Sequence, residues 1–206
     1  MTTDHELDQA WQSVLEKAKS LTGFCHDDET VIQEAAEALL PHNQKIVAHF
    51  YDALFSNKDA TEIFKHLNQD RAMRELILQR WLESLLQGNY DDQFWRWQWL
   101  VGLTHVQHHV EPVYVLSMFT QLQNNLAGII FKIFDTDSSE RLILAYSRII
   151  GCLTALAVEG YHREFISAVA TTGLEGAVLN RLVAIEVKNK IEAYRKLLPN
   201  HPTQTS

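Results

Sequence analysis

The stretch Val101–Pro112, VGLTHVQHHVEP, places three histidines within five positions and then a proline. His105 and His109 stand four apart, a spacing that would set both on one helix face, as two ligands of a single metal ion require. Alternatively, one imidazole alone serves as an axial ligand and the others lie solvated near a helix end, where the carbonyl-rich terminus welcomes positive charge. A two-histidine ion site needs acidic or thiolate partners, and Glu111 is the one acidic residue in the stretch. Pro112 ends the helical pattern, because the residue before a proline avoids helical geometry.

Immediately upstream runs DDQFWRWQWL, whose alternation Trp95-Arg96-Trp97-Gln98-Trp99 is the one place where a strand can be argued. Both flanks have helical spacing, so a helix with a broad aromatic surface is the better reading. Three indoles so placed cannot all face one way. At least one should point at another element, a partner chain or water, and an exposed cluster would mark an interface.

Working outward, the chain of 206 residues has only eight glycines and four prolines, and its apolar positions recur at three and four residues. That pattern predicts an all-α protein. Helices are expected over 6–21, 26–40, 41–55, 59–67 (with Asp59 as cap), 70–87 (closed by Gly88), 91–109, 113–134, 138–170 and 174–198. Eight or nine helices without a sheet fit either a bundle or a globin-like stack. Hydrophobic residues make up 46% and charged ones 21%, with a net charge of −8 and no basic run, which argues against nucleic acid as a partner. No basic-then-apolar leader and no apolar run of bilayer length is read from the sequence, so the expected location is the cytoplasm, without a membrane. Cys25 and Cys152 are 127 positions apart and form no Cys-x-x-Cys pair. No Cys-x-x-Cys-His occurs, which excludes covalent haem attachment. A di-iron bundle needs Glu-x-x-His motifs on two helices, and the chain does not supply two.

Two stretches resemble the sensor-globin family, which comprises the globin domains of globin-coupled sensors and the related protoglobins. In Ala48–Phe55, AHFYDALF, an aromatic residue, Phe50, precedes Tyr51, similar to the family's segment facing the distal haem pocket. In Tyr90–Phe119 an acidic start at Asp91 and Asp92 leads to Phe94, then a histidine, His105, eleven positions on. Pro112 follows seven later, then Tyr114 and Phe119. The 54 residues from Tyr51 to His105 are close to the family's separation, and of the three histidines only His105 keeps both distances. The family commonly reads His-x-x-Ile-Gly where this chain reads His105-Val106-Gln107-His108-His109, so an apolar residue and a helix-ending glycine are replaced by imidazoles.

The resemblance implies a globin fold with an extra N-terminal helix (residues 1–25), a haem-binding domain (26–170) and an additional C-terminal helix and tail (171–206). It implies non-covalent haem b with His105 as proximal iron ligand, its other ring nitrogen held by a backbone carbonyl near Val101. Tyr51 would hydrogen-bond a distal O₂, CO or NO. Phe50, Met73, Ile77, Trp81, Val101 and Tyr114 are expected to line the pocket, the methionine, isoleucine and tryptophan forming one stripe at four-residue spacing. His66 is read as exposed. Small residues in the penultimate helix, Ala145, Gly151 and Ala155, fit the four-helix homodimer that the family builds from its last two globin helices. In the tail, Val187, Ile191, Tyr194 and Leu198 form a short stripe of coiled-coil type. The expectation is a single-domain gas sensor without enzymatic activity, relaying ligation to a downstream signalling protein. Two rival readings are a haemless globin-like domain in stress signalling and a haem peroxidase or nitric oxide dioxygenase.

Overall fold

The structure, a computed structural model, describes residues 4–65, 71–173 and 176–197. It is helical, with no strand among the described residues. The elements are α1 (Asp4–Thr22), α2 (His26–Leu39), a 3₁₀ turn (Leu40–His42), α3 (Asn43–Ser56) and α4 (Lys58–Lys65). They continue with α5 (Arg71–Gln87), α6 (Asp92–Gln107), α7 (Pro112–Ile133), α8 (Thr136–Ala170) and α9 (Gly176–Leu197). The chain divides into a unit spanning Met1–Tyr161 and a second spanning His162–Ser206.

In the first unit each helix turns one stripe inward. Trp11, Val14, Leu15 and Ala18 are buried on α1; Ile32, Ala35 and Leu39 on α2; Ile46, Val47, Tyr51 and Leu54 on α3. Helices α5, α7 and α8 complete the core with Leu82, Leu85, Leu86, Leu122, Leu126, Ile130, Tyr146, Ile149 and Leu156. Each such aliphatic side chain removed from water contributes roughly 1.5–3 kcal/mol. The N-terminal helix is therefore part of the globular core and not an appendage to it.

Local chemistry sets the helix ends. Asp28 reaches back to the Cys25 N–H at 3.0 Å and pairs with Arg148 at 2.8 Å, tying the start of α2 to α8. For α4 the capping side chain is Asn57, whose Oδ1 accepts from the Ala60 N–H at 3.0 Å; the expected cap, Asp59, lies inside the first turn. Pro41 falls in the 3₁₀ turn between α2 and α3, so the helix expected from Pro41 begins at Asn43. Asp91 caps α6 by accepting from the Phe94 N–H at 2.8 Å.

The aromatic segment is helical. Trp95 and Trp99 are buried and Trp97 packs half-buried on the core, so no exposed tryptophan cluster forms. The Trp95 indole donates to the Tyr90 carbonyl at 2.9 Å, and the Tyr90 hydroxyl donates to the Leu85 carbonyl at 2.6 Å, fixing the turn between α5 and α6.

Small residues on α8 serve the chain's own packing. Ala145 is fully enclosed and has no surface left for a partner. A Cβ at Gly151 would meet Thr22 Cγ2 at 2.9 Å, so that glycine makes room for the end of α1. Gly151 and Ala155 keep partial exposure, and Ala155 also packs against the core. Helix α8 also corrects the reading that no apolar run reaches bilayer length: a window within it averages a hydropathy of 1.6. Half of that window is buried inside the chain, as in the core helix of a folded domain.

The second unit holds the remainder of α8 and α9. On α9, Val187 and Ile191 are exposed, as are Val178, Leu182, Val183 and Ile185. The Tyr194 side chain, Leu198 and His66 lie outside the described residues.

After α6 the chain makes a tight corner. The His109 N–H donates to the Val106 carbonyl and the Val110 N–H to the His105 carbonyl, both at 3.0 Å, and His109 itself has φ 55°. This is the paired-bond helix ending that glycine ordinarily serves, because a left-handed L-residue costs about 1–2 kcal/mol. Replacing the family's glycine with histidine thus leaves the corner's path intact at a local cost. His109→Gly is predicted to raise the unfolding free energy by about 0.5–1 kcal/mol, a gain of roughly 1–4 °C in melting temperature. Calorimetry checks this, and an unchanged or lowered melting temperature would contradict the assigned backbone.

Candidate functional site

The site is built on α6. Its apolar stripe and the Asp91 cap fix where the helix begins, and Gly102 fixes how closely it lies on α8. A Cβ at Gly102 would stand 3.2 Å from the Ala157 Cα, a contact with backbone that cannot swing aside. His105 follows three residues later, about 60° around the helix from that contact and one turn before the corner.

The His105 ring is half-buried, and its Nδ1 lies 2.7 Å from the Val101 carbonyl. A carbonyl only accepts, so Nδ1 carries the proton and Nε2 holds the lone pair. Burial pushes the ring's pKa below the usual histidine value, opposed by the Val101 hydrogen bond and reinforced by nearby His108. The ring is accordingly neutral at pH 7, which is the state that can ligate a metal. His108 and His109 are exposed. Among the described residues no group of three or more His, Cys, Asp or Glu side chains could hold a metal ion. An ion bound by protein side chains alone, the His105–His109 alternative, therefore lacks the donors it needs.

Tyr51, on α3, is buried, with Phe50 edge-on at 5.4 Å and Phe55 stacked at 5.7 Å between ring centroids. Burial pushes its hydroxyl up to about 12, with charges of Arg74, Glu75 and Arg71 from the start of α5 acting on it in opposing directions. The phenol is protonated, and so a donor, throughout the physiological range.

On α5 the stripe Met73–Ile77–Trp81 runs from exposure to burial: Met73 and Ile77 are 50% and 47% exposed, Trp81 is 7%. The Trp81 indole N–H donates to Gln98 Oε1 of α6 at 2.7 Å, which joins the two helices. An indole only donates, so the orientation of the Gln98 amide is fixed and its Nε2 is left buried without a partner. Sequence reasoning missed Gln98; its signal is a lone polar side chain on the His105 face of an otherwise aromatic helix. Val101, Tyr114 and Phe50 are half-buried and pack on the core. Two open clefts of about 470 and 230 Å³ lie on other faces, the first between α3 and α5 around Asn43, Gln79 and Arg80, the second around Ser84, Asn89 and Trp97.

The residues present suit a haem. A porphyrin brings four of its own donors, so the protein need supply one neutral imidazole nitrogen, and Nε2 of His105 is such a nitrogen. Apolar Met73 and Ile77, left half-exposed on the helix whose far end is joined to α6, offer the surface a macrocycle would cover.

The packed helices of the first unit, with one histidine of fixed tautomer near the end of α6 and a tyrosine buried on α3, fit a globin domain. The Protoglobin family matches residues 12–166, and the chain belongs to that family. Among solved structures it is similar to the globin domain of the Geobacter sulfurreducens globin-coupled sensor, with a TM-score of 0.65 and 19% identity, covering 71% of this chain and 96% of that one. It is also similar to the globin domain of E. coli DosC in ferric and ferrous forms, each at 17% identity. The TM-scores are 0.58 and 0.54, over 71% and 73% of this chain and 98% and 97% of those. At such identities the likeness is one of fold. No curated protein is significantly similar in sequence.

Proposed function

We propose that this protein is a haem-binding gas sensor, with His105 as the proximal ligand of a non-covalently held haem b. The observation that carries the reading is the fixed tautomer of His105 in a chain of the Protoglobin family: Nδ1 is engaged by Val101, and Nε2 is left as a donor. Bound haem iron supplies an open coordination position for O₂, CO or NO. His105 anchors and orients the group, while Met73, Ile77, Val101 and Tyr114 supply apolar surface that keeps water from it. Tyr51 supplies a protonated phenol on the distal side. Its hydrogen bond favours a ligand that carries negative charge, as O₂ does, over CO, by about 0.5–1.5 kcal/mol and more if that charge is large. The role is binding and relay in the cytoplasm, with the output passed to another protein.

A homodimer fits this role, through α7 and α8. The exposed stripe of α7 formed by Val113, Leu116, Ser117, Thr120, Asn124, Gly128 and Phe131 carries no charge, and Lys132, off that stripe, is the helix's one charged residue. Gly128 has nothing within 4 Å of its would-be Cβ. A mid-helix glycine costs about 1 kcal/mol relative to alanine, and no contact within the chain requires it, whereas close approach of a second helix would.

Three outcomes follow. Haemin added to the purified chain should give a Soret band that His105→Ala abolishes or strongly weakens, and Tyr51→Phe should speed O₂ release about 2- to 13-fold with little change for CO. No Soret band, or one untouched by His105→Ala, would overturn the reading. Gly128→Arg should convert the dimer to monomer in sedimentation while helicity is kept; an unchanged sedimentation coefficient places the dimer contact elsewhere.

A further inference from the structure

Helices α3 and α5 run antiparallel, and two side-chain ties mark their register. At one end Asn43 Nδ2 donates to the Gln79 carbonyl at 2.8 Å. At the other, Arg71 Nη2 donates to Asp52 Oδ1, also at 2.8 Å. Different forces hold the two ends. Toward Gln87, α5 buries Trp81, Leu82, Leu85 and Leu86, whereas in its first turns Met73, Leu76 and Ile77 stay exposed. Burial of apolar surface is the main force that seats a helix, so where it is missing the remaining contacts decide the position. Arg71 makes three of those contacts. Besides binding Asp52, it donates through Nε to Glu75 at 2.6 Å, and its guanidinium carbon lies 5.6 Å from the centre of the Phe55 ring. Phe55 in turn stacks on Tyr51, with ring centroids 5.7 Å apart.

We propose that Arg71 is a positioning residue for Tyr51: its guanidinium, shared between Asp52 of α3 and Glu75 of α5 and laid over Phe55, holds the first turns of α5 against α3 and keeps the phenol in one orientation. The inference rests on the reading of Tyr51 as the distal donor of a haem-binding protein. The Arg71 side chain is half-exposed, and an isolated ion pair at such exposure contributes little. A planar fork that engages two carboxylates and an aromatic face at once is a different case, because all three contacts restrain the same side chain and a point charge could not make them together. Its place on α3 adds leverage. Asp52 follows Tyr51 directly and Phe55 comes one helical turn later, so the fork grips the turn that carries the phenol. The charges of Arg74, Glu75 and Arg71 act on the Tyr51 hydroxyl, so the same turn of α5 also sets its electrostatic surroundings. Bonds to Glu75 and Asp52 raise the Arg71 pKa further, and the fork keeps its charge at any physiological pH. Without the fork, Phe55 loses one of the contacts that hold it on Tyr51, and the phenol meets a bound O₂ for only part of the time.

The test is Arg71→Met, which keeps an unbranched stem and removes the fork, in the 206-residue chain. In haem-free protein, hydrogen exchange of the Leu76 and Ile77 amides should quicken about tenfold or more, while amides of the buried part of α8 keep their rates and certify the fold. In the haemin-loaded, reduced protein, O₂ release should quicken roughly two- to fivefold. Made in the Tyr51→Phe background, the same substitution should add nothing to the rate of release, because both changes act through one hydrogen bond. Exchange that stays at the wild-type rate overturns the proposal. So does faster exchange with unaltered O₂ release, which would make Arg71 a clasp of α5 with no hold on Tyr51. An equal quickening of release in both backgrounds overturns it too, since the effect would then bypass the phenol. Failure of the underlying reading is distinguishable, because it shows before Arg71 is touched. It appears as a wild type without a Soret band, or as a Tyr51→Phe variant that releases O₂ at the wild-type rate, and the proposal falls with it.

Discussion

The hydrogen bond from His105 Nδ1 to the Val101 carbonyl decides what this imidazole can do. A histidine free to choose its tautomer, or free to protonate, is a poor permanent ligand. Here the carbonyl one turn back holds the proton on one nitrogen, and burial keeps the second nitrogen unprotonated. The bond is 2.7 Å long and made to the helix's own backbone, so it depends only on α6 remaining a regular helix at that turn. Much of the surrounding structure serves that condition.

Three constraints hold α6. Asp91 caps its start, Trp95 and Tyr90 lock its entry to the end of α5, and Gly102 lets it lie directly against the Ala157 backbone of α8. Its far end is closed by the paired bonds of the corner and by the Tyr161 hydroxyl, which donates to the Val110 carbonyl. The joint between Trp81 and Gln98 sets the separation from α5 at one level only, and toward Met73 the apolar stripe opens to solvent. At this joint the Gln98 amide nitrogen is buried without a hydrogen-bond partner among the described residues.

The helices were legible in the sequence because apolar spacing and turn residues agreed; His105 was singled out among three candidates by two distances that the family resemblance supplies. Much of what escaped reading lay in relations between distant positions. Ala145 and Gly151 look alike as small residues on one helix, yet one fills the core and the other makes room for Thr22, a difference that only the position of α1 reveals. His109 in a left-handed conformation could not be read, since β-carbon sterics argue against it and the corner's two local hydrogen bonds, to Val106 and His105, override them. Asn57 capped α4 in place of Asp59 because the helix began two residues earlier than the acidic signal implied. The Trp81–Gln98 pair spans 17 positions and two helices, so neither residue advertises the other. On α8 the apolar run that composition alone could assign to a bilayer is half consumed by the core.

The most direct measurement is proton NMR of the reduced, haemin-loaded chain in water, read for the ring N–H proton of the iron-bound imidazole, which paramagnetism shifts far from the protein envelope. The account predicts one such exchangeable resonance, exchanging slowly because its proton is held by Val101, and missing from His105→Gly even where added imidazole restores the colour. A wild-type spectrum without that resonance, or the same resonance surviving in His105→Gly, would contradict it.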